Sequence, residues 1–221
     1  MKNSSQYAKK IKSFLGKMKK SGSGVKRITY EEPVDAIVDA AVSEQLTLKK
    51  SKTAIRKLKN HFVDWNDLRV SRQEEIVDVL GKNGEAEKKI AIGLPKILNA
   101  SFKKYNALTM VKLLEMNKRP AKAELEKVEG MTGYISEYMM LMVLDGHSIP
   151  LTEKMISYLK DNELVDSNAD HADIEGFLLR QVPASKGFDF YAFLRERSEE
   201  TKKKTAKKST KKTVKKTRKK K

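Results

Sequence analysis

The sequence predicts an all-α protein, and three observations support that prediction. Apolar residues recur every three or four positions through most of residues 29–200, which is the period of helices that bury one face. No stretch keeps the alternation of apolar and polar residues that indicates a β-strand. The 221 residues are 39% hydrophobic, which is enough apolar material for a packed core.

The predicted helices follow one another along this middle segment, each with one apolar face. The first runs from Pro33 to Ser43, and the second repeats the pattern with Ala54, Leu58 and Phe62. In chain order the predicted segments are 33–43, 50–62, 71–80, 86–100, 107–116, 121–128, 134–144, 153–160, 170–181 and 187–197.

Two local signals concern where one of these helices begins and whether another is continuous. Ser71 with Glu74 predicts a capping box, in which the serine side chain bonds a backbone N–H of the first turn. Pro95 lies inside the segment 86–100 and argues against an unbroken helix there, because proline lacks a backbone donor.

Charge divides the chain into three parts. Residues 1–28 contain nine lysines and arginines with no acid, and residues 201–221 contain thirteen, again with no acid. The middle segment, 29–200, therefore has a net charge of −4, although the whole chain carries +18. We accordingly expect a basic N-terminal segment (1–28), a helical domain (29–200) and a lysine-rich tail (201–221).

The tail repeats lysine pairs with a period of four and contains no aromatic residue. Such a segment cannot bury apolar surface and repels itself, so we expect it to be disordered. Its lysines can displace counterions from a polyanion, which favours nucleic acid over a mere solubility role. An acidic membrane surface is a weaker alternative because the tail lacks apolar anchors. The expected contacts are Lys207, Lys208, Lys211, Lys212, Lys215 and Lys216.

The N-terminal segment differs from the tail because apolar residues lie between its lysines. Ile11, Phe14, Leu15 and Met18 fall at helical spacing before the run at 21–24, Ser-Gly-Ser-Gly. This predicts a short basic amphipathic helix that docks on the core or on DNA.

Two short motifs stand out among the predicted helices. Ser43, Gln45 and Thr47 form Ser-x-Gln-x-Thr at the end of an apolar helix, before a basic one. Further on, Gly130, Met131, Thr132 and Gly133 make a glycine-rich turn between two predicted helices. A helix–turn–helix of this kind can aim backbone N–H groups at a phosphate, although most such turns only join packed helices.

In order and spacing these pieces resemble the helix–hairpin–helix DNA glycosylase superfamily, in particular endonuclease III-like proteins, over residues 30–196. The resemblance implies a helical glycosylase-like fold and a connection with base-excision repair. The family's Ser-x-Gln-x-Thr falls on the first motif without a gap, so Gln45 inherits the role of filling the space left by a flipped base. The turn residues Gly130, Met131, Thr132 and Gly133 correspond to the family's DNA-binding hairpin.

The resemblance also locates two catalytic positions, and both are changed. Where the family has a lysine that attacks the sugar, this chain has Tyr134, and where it has a catalytic aspartate, this chain has Thr152. The family's spacing of 18 residues is kept, which indicates a correct alignment with altered chemistry. Tyrosine has no amine for a Schiff base, and threonine has no charge, although Thr152 can cap the helix that follows it.

Neighbouring charged residues offer a relocated site as an alternative. Glu153 follows Thr152 directly, but one residue turns a side chain by about 100° on a helix. Lys154 and Lys127 are nearby amines, yet neither occupies the family's lysine position. Exposed charges at a helix start are the ordinary explanation for such residues.

Composition limits the remaining possibilities. The chain has no cysteine, which excludes disulfides and cysteine-bound clusters or zinc. Its three histidines, at 61, 147 and 171, show no metal-ligand spacing, so we expect neither a metal nor another cofactor. No apolar run reaches membrane-spanning length. We expect an intracellular monomer in the cytoplasm and nucleoid, or in a nucleus.

Three hypotheses follow. The favoured one is a protein with the glycosylase fold that binds duplex or damaged DNA after losing or altering its catalysis. The second is an active glycosylase or abasic-site lyase whose relocated site uses Glu153 and one of the lysines Lys154 and Lys127. The third is a helical protein that binds RNA or acidic partners, which the net −4 middle segment supports.

Overall fold

The computed structural model describes residues 4–81 and 84–200, and the expected tail contacts at 201–221 lie outside them. Within the described residues the chain forms eleven α-helices, two short 3-10 helices and no strand, which confirms the all-α prediction. The 3-10 helices span Val111–Glu115 and Ala184–Lys186. The α-helices are α1 (Ser4–Ser21), α2 (Pro33–Gln45), α3 (Leu48–His61), α4 (Trp65–Val70), α5 (Gln73–Leu80), α6 (Glu85–Tyr105), α7 (Lys118–Glu126), α8 (Gly133–Met142), α9 (Glu153–Asp161), α10 (His171–Gln181) and α11 (187–200).

Helices α2 and α8 form the centre of the protein. Every residue of α8 after Gly133 is buried, and most of α2 is buried as well. A helix that is apolar on all sides belongs in the interior, which explains why α8 lacks the single apolar stripe of a surface helix. Helix α2 packs against α3, α6 and α8, while α7 packs on α8.

The N-terminal helix α1 packs on the same core. It buries Ile11, Phe14 and Met18, and the ring of Phe14 lies 5.1 Å from that of Phe193 and 5.7 Å from that of Phe190. Burial of these side chains follows the predicted amphipathic spacing. Two roles were predicted for α1, docking on the core and docking on DNA. In the structure, α1 packs on the core.

Four details differ from the sequence predictions. Helix α6 continues through Pro95, because the burial of side chains such as Leu94 and Leu98 outweighs one missing backbone bond. The predicted capping box is wrong, since Ser71 donates to the carbonyl of Asp67 instead of accepting from α5. The segment 107–116 contains only a 3-10 helix, and α4 was not predicted.

Candidate functional site

A cleft of about 640 Å³ lies where the end of α2 meets the beginnings of α8, α9 and α10. Residues from both sequence motifs line it, and its ionisable side chains come from six helices: α2, α6, α8, α9, α10 and α11. A shallower depression of about 860 Å³ lies beside α5 and His61, but it contains none of the motif residues. The main residues of the first cleft are Glu44, Gln45, Lys89, Tyr134, Glu137, Thr152, Glu153, Lys154, His171, Glu175 and Arg195.

Tyr134 and Thr152, which the sequence resemblance aligns with the family's two catalytic positions, line this one cleft. Tyr134 is buried, and its hydroxyl lies 3.1 Å from the Ser43 hydroxyl and 2.9 Å from the Tyr191 hydroxyl. The phenol therefore belongs to a network of buried hydroxyl groups. Burial raises the pKa of Tyr191, so this partner stays protonated and adds no base that could activate Tyr134.

Thr152 lies at the N-terminus of α9, as the sequence predicted. Its side-chain oxygen accepts a hydrogen bond from the backbone N–H of Met155 at 3.4 Å. The residue is 4% exposed. Threonine thus keeps the capping function at this position but supplies no negative charge to the cleft.

Of the three alternative residues for a relocated site, two line the cleft and one does not. Glu153 and Lys154 line the cleft, whereas Lys127 does not and instead places its ammonium 2.7 Å from a Glu124 oxygen. Hydrogen bonds from Lys104 and Lys127 lower the pKa of Glu124 to about 2. Lys127 is therefore committed to a surface ion pair outside the cleft.

The turn between α7 and α8 is built around Gly130. Its φ is +87°, and an added Cβ would lie 3.0 Å from Ile97, so both backbone conformation and space require glycine. Thr132 then caps α8 by accepting from the N–H of Ile135 at 3.1 Å. The first N–H groups of a helix have no partner within it, so the exposed start of α8 presents donors to its surroundings.

A side-chain bond joins this turn to the Ser-x-Gln-x-Thr motif. The hydroxyl of Thr132 donates to the carboxylate of Glu44 at 3.2 Å. Gln45, the next residue, is half-buried and lines the cleft. Burial is the main reason that the pKa of Glu44 is raised. Of the turn residues, Gly133 lines the cleft together with Gln45, and Thr132 is joined to the same part of the cleft through Glu44.

Arg195 on α11 supports this rim and was not found from the sequence. Its guanidinium is 2% exposed and donates to the carbonyls of Ser43 and Leu46, at 2.5 Å each. Glu199 lies 3.0 Å from the Arg195 Nε and also accepts from the N–H of Leu48. Helix α11 thereby fixes the corner between α2 and α3. In the sequence the pair is an ordinary i,i+4 spacing on a helix surface.

Two carboxyl groups in the wall of the cleft, one of them buried, were also missed. Glu137 is 4% exposed, and both Glu137 and Glu175 line the cleft. Burial, followed by the hydrogen bond and charge of Glu175, raises the pKa of Glu137 to about 9. A sequence signal existed, since Glu137 is the one charged residue of the apolar helix α8.

Neither a metal cluster nor a membrane span is found in the part of the chain that the structure describes. No three metal-ligating side chains converge there. Across residues 4–81 and 84–200, no helix combines the length and the apolar character needed to cross a bilayer.

The fold is that of the helix–hairpin–helix DNA glycosylase superfamily. Protein-family models and curated protein sequences give no match. A structure of endonuclease III trapped as a covalent intermediate with DNA is similar, with a TM-score of 0.66, 15% identity, and coverage of 85% of this chain and 84% of that one.

Two further solved structures show the same likeness. An 8-oxoguanine glycosylase/lyase from Clostridium acetobutylicum, in complex with double-stranded DNA, gives a TM-score of 0.67 at 14% identity, covering 91% of this chain and 71% of that one. A thermostable thymine-DNA glycosylase gives 0.61 at 14% identity, covering 88% and 87%. At such identities the likeness establishes the fold, and the function rests on the site.

Proposed function

We propose that this protein binds duplex DNA and receives one extruded nucleotide in the cleft between α2, α8 and α9. One observation carries the proposal: the Thr132–Glu44 bond joins the hairpin turn to the corner that holds Gln45, at the rim of a cleft of about 640 Å³. Backbone donors at the turn suit a phosphate, and an extruded base needs an adjacent pocket. The similar endonuclease III structure contains DNA, which supports this use of the fold.

The surface charge of α3 supports DNA binding on the side of the protein where the cleft opens. Helix α3 begins at this corner and contains six lysines and arginines but no acid. Lys49, Lys50, Lys52 and Arg56 are exposed along it. Cations arranged in this way contribute sequence-independent affinity for phosphates, which compensates for the net negative charge of residues 29–200.

The residues of this cleft differ from those that a strand-cleaving lyase needs. Such a lyase needs an amine that forms a Schiff base with the sugar. Tyr134 occupies the family's lysine position, and its hydroxyl is held by Ser43 and Tyr191. Thr152 supplies no carboxylate. We therefore propose that the lyase reaction is lost and that any remaining catalysis is altered.

Competition between ligands tests the binding proposal. Fluorescence anisotropy of the full chain with a labelled abasic duplex should show binding that unlabelled duplex DNA displaces better than equal amounts of RNA or heparin. Preferential displacement by RNA or heparin would contradict the proposal and support the third hypothesis, a protein for RNA or acidic partners.

Borohydride trapping on abasic DNA tests the proposal that the lyase reaction is lost. We expect no covalent adduct, because the family's amine is absent, with an active endonuclease III as the positive control. A trapped adduct would overturn the loss of the lyase reaction and support a relocated amine. Lys154 would then be the first residue to replace, because it lines the cleft whereas Lys127 does not.

A further inference from the structure

Helix α1 presents a positively charged surface that takes no part in the cleft. Its 18 residues contain six lysines and no acidic residue. Lys10 forms an ion pair with Glu163 at 3.0 Å. The other five lysines are exposed and form a surface that we call the α1 basic face: Lys9, Lys12, Lys17, Lys19 and Lys20.

The α1 basic face lies on the side of the helix that points away from the core. At 100° per residue, Lys9 lies about 180° from Met18 around the helix axis, and Lys20 lies about 180° from Ile11. Met18 and Ile11 are both buried. From Lys9 to Lys20 the face extends for about 17 Å, a length over which one strand of DNA carries about five phosphates. Burial of the apolar side thus directs a row of cations into solvent.

Helix α11 separates the α1 basic face from the cleft. The ring of Phe193 on α11 lies 5.1 Å from the ring of Phe14 on α1, whereas Arg195 lines the cleft. Two residues correspond to about 200° around a helix, so these two side chains leave opposite sides of α11. Arg197 also lies on the side of α1, where it lines a groove of about 300 Å³ together with Lys17.

Helix α9 shows the same separation along its length. Thr152 and Glu153, at the beginning of this helix, line the cleft, and none of the described residues of α1 does so. Lys10 pairs with Glu163, which lies just beyond the other end of α9. The nine residues of α9 span about 13 Å. The α1 basic face and the cleft therefore lie on different sides of the layer that α9 and α11 form.

We propose that the α1 basic face binds a second DNA duplex, so that one protein molecule bridges it to the duplex bound at the cleft. This inference rests on the proposed function, because the first duplex is the one that the cleft receives. Exposed lysines without interspersed acids attract a polyanion of any sequence. A helix that binds a membrane needs a free apolar side, whereas the apolar side of α1 is buried against α9 and α11.

Capture of one duplex by another measures the bridging. Beads carry a duplex with a stable abasic analogue, the full chain is added, and retention of a fluorescent intact duplex is recorded. We expect the wild type to retain the fluorescent duplex, and we expect retention to weaken steeply with salt. Unlabelled duplex DNA should displace the fluorescent duplex better than vesicles of phosphatidylserine and phosphatidylcholine at equal phosphate content. Anisotropy with a trace amount of labelled abasic duplex measures binding at the cleft separately.

Charge reversal on α1 should abolish bridging without affecting the cleft. The double variant with Lys9→Glu and Lys12→Glu keeps good helix formers at exposed positions, so we expect it to melt near the wild type. It should capture about tenfold less of the fluorescent duplex, with an unchanged Kd for the abasic duplex. The control, with Lys103→Glu and Lys112→Glu, makes the same change of net charge at exposed residues outside α1 and should capture as much as the wild type.

The possible outcomes separate this inference from the proposed function. Undiminished capture by the α1 variant would overturn the inference, because residues 201–221 or association between protein copies would then account for the bridging. An equal loss of capture and of abasic-duplex affinity would show that α1 contacts the same duplex as the cleft, and it would also overturn the inference. More effective displacement by vesicles would contradict DNA as the partner.

The wild type provides the remaining distinction. Binding of the abasic duplex without capture of a second duplex would overturn this inference alone. Failure to bind the abasic duplex would overturn the proposed function, and the bridging inference would fall with it.

Discussion

Tyr134 shows how one buried side chain can join neighbouring helices of this fold. The side chain is too buried to be a surface residue, and its hydroxyl bonds Ser43 and Tyr191 within the core. A lysine at this position would need a partner for its charge, whereas tyrosine completes a network of neutral hydroxyl groups. The residue therefore stabilises the packing of α2, α8 and α11 around the cleft.

Removal of the Tyr134 hydroxyl should lower the stability of the protein but leave its binding to DNA unchanged. We expect Tyr134→Phe to lower the free energy of unfolding by about 1–2 kcal/mol, because two buried hydroxyl groups lose a partner. Urea denaturation measures the change, and anisotropy with an abasic duplex should be unaffected. Loss of DNA binding in a folded Tyr134→Phe protein would contradict a structural role.

Glu137 predicts a particular pH dependence of stability. Its pKa is about 9 in the folded protein and 4.5 as an ordinary glutamate, so folding favours its protonated form. The stabilisation is complete below about pH 4.5 and is lost as the pH rises through about 9. Glu175 on α10, together with Lys122 and Glu126 on α7, also acts on this carboxyl.

Glu137→Gln isolates this contribution. The variant cannot ionise, so its advantage in unfolding free energy over the wild type should grow between about pH 6 and pH 9. Urea denaturation of both proteins at several pH values measures the difference. A difference that stays constant with pH would contradict the raised pKa of Glu137.

Helix α11 shows how an element far along the chain supports a motif near its beginning. Arg195 donates to the last carbonyls of α2, and Glu199 accepts from the first N–H of α3. The guanidinium satisfies carbonyls that a helix end leaves without partners, which fixes the corner that holds Gln45.

Breaking this contact should be strongly destabilising. We expect Arg195→Met to cost about 3–5 kcal/mol, because Glu199 and two carbonyls lose a buried cation. The exposed Arg180→Met on α10 is the control and should change stability by less than about 0.5 kcal/mol. Thermal or urea unfolding separates the two, and equal effects would show that the buried ion pair has no special role.

The hairpin turn between α7 and α8 allows a matched pair of substitutions. We expect Gly130→Ala to lose about 1–3 kcal/mol of stability, since it places a side chain at a φ of +87° and close to Ile97. Gly133→Ala meets no atom within 4 Å and should be nearly neutral for stability. Similar losses in both variants would contradict this description of the turn.

The sequence predicted the helices and the two motifs because their signals are local. Helical period marks the apolar face of α2, a largely apolar run marks α8, and a glycine-rich stretch before that run marks the turn at Gly130. Arg195 and the Glu137–Glu175 pair escaped prediction because their partners come from distant parts of the chain. Periodicity reports which face of a helix is buried but not which side chains meet there.

At the scale of the whole molecule, the proposed function would assign affinity for DNA and recognition of its shape to different parts of the chain. Residues 29–200 carry a net charge of −4, while the two ends of the sequence carry the excess of lysine. Under the proposed function, sequence-independent attraction to phosphates would come from the ends and from α3, and the cleft would receive one nucleotide. Helix α1 links the two functions, since its apolar side packs on the core and leaves lysines exposed.

Deleting residues 201–221 should separate these contributions. The logarithm of the DNA association constant falls with the logarithm of salt concentration by about 0.9 per neutralised phosphate, so the truncated chain should show a slope smaller by several units. Its preference for an abasic over an intact duplex should remain. An unchanged slope would contradict the expected role of the tail.

The most direct measurement of the central claim is the ratio of the dissociation constants for intact and abasic duplexes, in the full chain and in Gln45→Ala. Gln73→Ala, which changes an exposed glutamine on α5, is the control. If the cleft and its rim receive an extruded nucleotide, the wild type and Gln73→Ala prefer the abasic duplex by about tenfold, worth about 1.4 kcal/mol, and Gln45→Ala loses most of that preference. Equal binding of both duplexes by the wild type, or an undiminished preference in Gln45→Ala, would contradict the claim.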